Sequence, residues 1–122
     1  MESNSSSSSV KKAIDVEFLR SIIENDVEFE KELFAIFTEN ANRNVEKMED
    51  AIKSSNDNSW YMASHAFKGA SASIGAFDLS RILEYAQKHP EENYEQKTEL
   101  LRKVKEELAL VISFINEELL SK

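Results

Sequence analysis

The stretch SHAFKGASASIGA, Ser64 to Ala76, holds one of the chain's two histidines and both of its glycines. His65, Lys68, Gly69 and Ala72 follow one another at helical spacing. Each residue of an α-helix turns about 100°, so positions three, four and seven apart share a side. Ala63 and Phe67 lie about 200° from His65 on such a helix. The spacing therefore predicts an outward face carrying an imidazole, a cation one turn on, a residue with no side chain and a small residue. Neutral imidazole has a nucleophilic nitrogen and a reference pKa of about 6.5, and it can form covalent intermediates. A lysine one turn away can neutralise a phosphoryl group carried on the ring. A convex helix face has no substrate pocket, so it suits a reaction whose other half is another protein's active site.

Gly69 is the odd choice, since a glycine inside a helix costs about 1 kcal/mol relative to alanine. It can end the helix, let a neighbouring helix approach, or clear a surface. The apolar stripe continues in register to Ala70 and Ile74, which argues against an end at Gly69. Gly69 projects with His65, away from that stripe, which argues against close packing. On the residues alone an inert surface histidine stays open as the alternative, because isolated exposed residues are common. His89 stands beside Pro90 in a turn and is read as inert. Met62 and Ala86 stand three residues before the two histidines, so the Glu-x-x-His signature of di-iron bundles is absent. No Gly-rich phosphate loop is present, and no metal or cofactor is expected.

The elements that must position this face are helices. The 122 residues include only two glycines, one proline and no cysteine, and 31% are charged. Such a composition favours an all-α fold with room for one core. It excludes disulfides and thiolate metal sites. A net charge of −8 lacks the basic footprint of a nucleic-acid binder. No apolar run approaches the roughly 20 residues of a membrane span, and the N-terminus lacks the pattern of a secretory signal. A cytoplasmic protein without membrane contact is expected.

Residues 1–12 begin MESNSSSSS and are read as a disordered Ser-rich tail or linker. A single domain is expected over residues 13–122. A short first helix is predicted from about Asp15 to Glu24, with Asp15 as N-cap and Phe18, Leu19, Ile22 and Ile23 as its stripe. A long second helix spans about Val27 to Ser54, with Phe29, Leu33, Ile36, Phe37, Ala41, Val45, Met48 and Ile52 inward. SSNDNS, Ser54 to Ser59, reads as a loop. The third helix begins near Ser59, carries Trp60, Ala63, Phe67, Ala70 and Ile74 inward, and ends at Gly75. A fourth covers about Asp78 to Lys88 and stops before Pro90. The last runs from about Tyr94 to Leu120. These helices can bury their stripes only against one another. The prediction is an antiparallel up-down four-helix bundle with a short additional N-terminal helix.

With the residues in that setting, HAFKGASASIGA resembles the signature of histidine-containing phosphotransfer (HPt) domains. The matching residues are His65, Phe67, Lys68, Gly69, Ile74 and Gly75. The resemblance covers the architecture from about Asp15 to Leu120. It implies that His65 accepts a phosphoryl group at Nε2 from the aspartate of one response-regulator receiver domain and passes it to another. It implies that Lys68 steadies the phosphoryl oxygens and that Gly69, with Ala72 beside it, gives the receiver room. In some members a glutamine on the following helix orients the ring through Nδ1, and Gln87 occupies that place. Many members have serine directly after the Lys-Gly pair, where this chain has Ala70. The implied protein is a monomeric phosphorelay intermediate without kinase activity of its own. Its implied partners are receiver domains and a hybrid sensor histidine kinase, and both a free-standing protein and the excised end of such a kinase fit the resemblance. The alternative is a helical interaction module that docks a receiver or partner helix without being phosphorylated.

Overall fold

Four of the five α-helices among the described residues start where a short polar side chain takes up a free backbone N–H. The computed structural model describes residues 13–24 and 26–120. The predicted Ser-rich tail, residues 1–12, lies outside the described residues. Asp15 caps α1 (Val16–Ile23) by accepting from the Phe18 N–H at 3.0 Å. Asp26 caps α2 (Val27–Ser54) in the same way, accepting from Phe29. Asn56 caps α3 (Asp57–Ser73). α4 (Phe77–Lys88) starts at Ala76 without a side-chain cap and stops at His89, just before Pro90. Asn93 and Gln96 form a reciprocal capping box at the start of α5 (Tyr94–Phe114). Such bonds satisfy N–H groups that have no partner within the helix.

The described residues are all-helical and contain no strand. Two predicted boundaries shift. α3 starts at Asp57, so Asp57, Asn58 and Ser59 form its first turn and are not loop. Asn56, directly before Asp57, supplies the cap. The last helix is α-helical only to Phe114 and continues as a π-helical segment, Ile115–Leu120.

Packing joins α2 to α3, α3 to α4, α4 to α5 and α5 back to α2, while α1 rests on α2. The core holds Phe34, Met48, Trp60, Phe67, Leu79, Leu83, Val104 and Val111, all but fully buried. The stripe predicted for α2 needs correction. Phe29 and Ile36 are exposed, while Phe34 is buried. The buried seam runs Phe34, Phe37, Ala41, Asn44, Met48 and Ala51 in alternating steps of three and four. It passes through a polar residue that a search for apolar positions skips. Asn44 is tolerated there because its Nδ2 donates to Asn40 Oδ1 at 2.9 Å.

Trp60 ties three helices together. Its Nε1 donates to the Ala86 carbonyl of α4 at 2.9 Å. The Lys97 ammonium of α5 lies 5.4 Å from its ring centre. Lys97 is 4% exposed, and its charge is met by Asp57 Oδ1 at 2.6 Å, in the first turn of α3. Burial of a lysine is tolerated when a carboxylate and an aromatic face share its charge.

Gly75 turns the chain from α3 to α4 with φ +82°, a conformation that side chains resist. A Cβ there would also lie 3.1 Å from the Asp15 carbonyl oxygen and 3.2 Å from Phe18. The Asp15 N–H in turn donates to the Gly75 carbonyl at 2.9 Å. The turn and the seating of α1 thus depend on the same missing side chain.

Truncating the indole at the junction of α3, α4 and α5 should be the most damaging core change. Trp60→Ala is expected to destabilise the fold by roughly 3–5 kcal/mol, measured by urea unfolding. A loss below about 1 kcal/mol would show that the junction contributes little.

Candidate functional site

The inward side of α3 determines what faces out. Trp60, Ala63, Ser64, Phe67 and Ser71 are buried, and His65 projects between them into solvent. Neither ring nitrogen of His65 makes a hydrogen bond among the described residues. Its one ring contact is with Tyr61, a turn earlier on the same helix. The two rings are nearly parallel, 9° apart, with centres separated by 6.1 Å. Tyr61 escaped the sequence reading; the signal that could have found it is its position four residues before His65.

The other predicted site residues lie on the same side. Gly69 is exposed, and a Cβ added to it meets nothing within 4 Å. No neighbouring helix fills that space, so close packing does not explain the glycine. Lys68 and Ala72 are half-buried. Ala72 therefore borders the open face and does not stand fully on it. Ala70 is half-buried against the core, as the helical angle predicts.

Two cross-helix bonds set the register of α3 against α4. The Trp60 indole reaches Ala86, and Ser80 Oγ donates to the Lys68 carbonyl at 3.3 Å. The two helices therefore run in opposite directions. His65 stands opposite about residues 82 and 83, and Gln87 lies about one turn beyond, near the level of Trp60. Side chains lean toward the N-terminus of their own helix. On antiparallel neighbours this inclines His65 and Gln87 toward each other's level. Gln87 is half-buried, and its Oε1 is buried without a hydrogen-bond partner among the described residues. No hydrogen bond joins it to His65.

The charges near this face are arranged across the α3–α4 groove. A 2.8 Å ion pair with Lys88 holds the Glu84 carboxyl below the usual carboxylate range, and the charge of Lys68 adds to the effect. Lys68 thus shares its surroundings with a carboxylate on the neighbouring helix. Ser71 and Ser73 do not supply the hydroxyl that Ala70 lacks. Ser71 is buried, and Ser73 Oγ donates to the Ala70 carbonyl at 2.7 Å.

His89 sits apart from this group at the end of α4. Its ring lies 4.1 Å from that of Tyr85, and its Nδ1 is 3.4 Å from Glu91. Among the described residues no cluster of His, Cys, Asp or Glu could hold a metal ion. No helix of the described chain is long and apolar enough to cross a membrane.

The arrangement provides an exposed nucleophile on a convex helix, a cation one turn away and an open surface beside it. The clefts found among the described residues lie elsewhere and are not lined by His65. The family model described as Hpt domain matches residues 32–113, which include all of α3 and α4. No curated protein and no solved structure matches the chain.

The empty space above Gly69 makes its effect on stability predictable. Gly69→Ala should stabilise the fold by about 0.5–1 kcal/mol, the helix-propensity difference, seen as a higher urea midpoint at unchanged slope. A lower midpoint would mean that the position is structurally constrained.

Proposed function

Because this chain belongs to the Hpt domain family, we propose that it is a phosphorelay intermediate, carrying a phosphoryl group on His65 between the aspartates of two receiver domains. Phosphotransfer in two-component signalling is the general role of Hpt domains. The observation that carries the residue assignment is the exposed, unbonded imidazole of His65 beside a glycine with nothing above it.

In the forward step the Nε2 lone pair attacks the phosphorus of a receiver aspartyl phosphate. A P–N bond forms as the P–O bond to the aspartate breaks. The aspartate leaves as a carboxylate, and the Nδ1 proton stays on the imidazole ring. The return step reverses these changes on a second receiver. Such transfer depends on positioning and on compensation of the phosphoryl charge.

Lys68 supplies that compensation from one turn along, moving its charge from the Glu84 side of the groove toward the phosphoryl oxygens. In the reactive complex Gln87 turns to accept from the Nδ1–H, a bond not formed in the structure of the chain alone, and so leaves the Nε2 lone pair outward. Its buried, unpartnered Oε1 and the opposed lean of the two side chains support this role. Gly69 and Ala72 leave room for the receiver's active site. The four longer helices form an antiparallel up-down bundle, in keeping with their ring of contacts and with the opposed directions of α3 and α4. Residues 13–122 form this domain, which acts as a monomer in the cytoplasm, and any Mg²⁺ belongs to the receiver.

Incubation with a phosphorylated cognate receiver should label the chain with acid-labile phosphate, and His65→Gln should abolish the labelling. Undiminished labelling of that variant would overturn the assignment. Receiver binding that survives the change, with no phosphate found on the wild-type chain, would identify a docking module instead. Gly69→Leu should retain helicity yet slow transfer from the receiver by tenfold or more, the scale expected when reacting groups are misplaced. Normal transfer in that variant would refute the role of Gly69 as clearance.

A further inference from the structure

We infer that Tyr61 is a positioning residue that holds the plane of the His65 imidazole by stacking, an inference that rests on His65 being the phosphorylated group. An exposed histidine has two soft torsions, and the second is broad and roughly two-fold. Hydrogen bonds to the ring nitrogens would narrow it, but none is present among the described residues. The one ring contact of His65 is the Tyr61 ring, at 6.1 Å between centres and 9° between planes. That separation falls within the range of interacting aromatic pairs.

The geometry follows from the helix. Tyr61 stands four residues before His65, and helical side chains lean toward the N-terminus, so the imidazole leans over the tyrosine. Tyr61 is 41% exposed, so core packing accounts for only part of its surface.

The chemistry gives the contact its value. The lone pair of Nε2 lies in the ring plane, at the ring edge. A neighbouring ring set nearly parallel and offset crowds the imidazole from one side and leaves the Nε2 edge open, so it can restrain the ring without blocking attack on phosphorus. His65 thus has a ring at one neighbouring turn and a bare glycine at the other, with Gly69 four residues after it. One side holds the imidazole, and the other admits the partner.

The test uses Tyr61→Leu and Tyr61→Phe in the full chain, with helicity checked by circular dichroism. Two donors are compared, namely phosphoramidate and a phosphorylated receiver domain. Positioning predicts that Tyr61→Leu slows labelling of His65 roughly two- to tenfold with both donors, and that Tyr61→Phe restores the rate. It also predicts that the His65 Hε1 or Hδ2 resonance carries a ring-current shift, lost in Tyr61→Leu and kept in Tyr61→Phe. Labelling of Tyr61→Leu by phosphoramidate at the wild-type rate would overturn the inference, even if transfer from the receiver falls, because Tyr61 would then act only as a partner contact. A wild-type chain that takes phosphate from neither donor would defeat the phosphorelay reading. The ring-current shift then judges the stacking by itself, and its absence from the wild-type spectrum overturns the inference.

Discussion

The rotation of α3 about its own axis is the constraint on which the site depends. A helix with a buried side and an exposed side presents a nucleophile outward only if something fixes which side is which. Here the Trp60 indole is anchored in the core and bonded to the Ala86 carbonyl. Two turns along, Ser80 holds the Lys68 carbonyl. Bonds at two levels define both the angle and the register of α3 on α4. With those set, His65 has no orientation available except toward solvent. The Lys97–Asp57 pair extends the same arrangement to α5 and keeps a buried cation beside the indole.

The two glycines illustrate how one residue type serves opposite ends. Gly75 is buried, adopts a left-handed conformation and is pressed against Asp15 and Phe18. Its missing side chain lets the chain turn and α1 seat. Gly69 is exposed, helical and touched by nothing. The fold has no use for its missing side chain, and helical propensity opposes it. A residue that helical propensity disfavours thus stands one turn from an exposed histidine, and no contact within the fold requires it.

Charge follows the same division. Lys97 is a structural cation, sequestered with Asp57 and the Trp60 face. Lys68 is half-buried near Glu84, which already pairs with Lys88. Glu84 thus has its direct ion pair with Lys88, and Lys68 adds only a longer-range charge. The ion pairs of Arg102 with Glu99 and Glu106 on α5 lie on a solvated face, where such pairs contribute little.

The helical class, the cap residue Asp15, the turn at Gly75 and the outward placement of His65 and Gly69 were all legible in the sequence. Each depends on local geometry: a 100° turn per residue, a short polar side chain before a helix, a left-handed glycine after one. The seam of α2 was less legible, because it runs through Asn44, and a polar residue is buried there only when a neighbour such as Asn40 bonds it. Lys97 looked like any surface lysine until α3 brought Asp57 and Trp60 to it. The lean of Gln87 toward His65 required the register of two helices. The contact of Tyr61 with His65 required both side-chain directions. By itself, then, the sequence determined which residues share a helix face, since backbone geometry alone decides that. Only the tertiary structure decided which groups meet across helices and which space stays empty, because those depend on how separate helices turn and slide against one another.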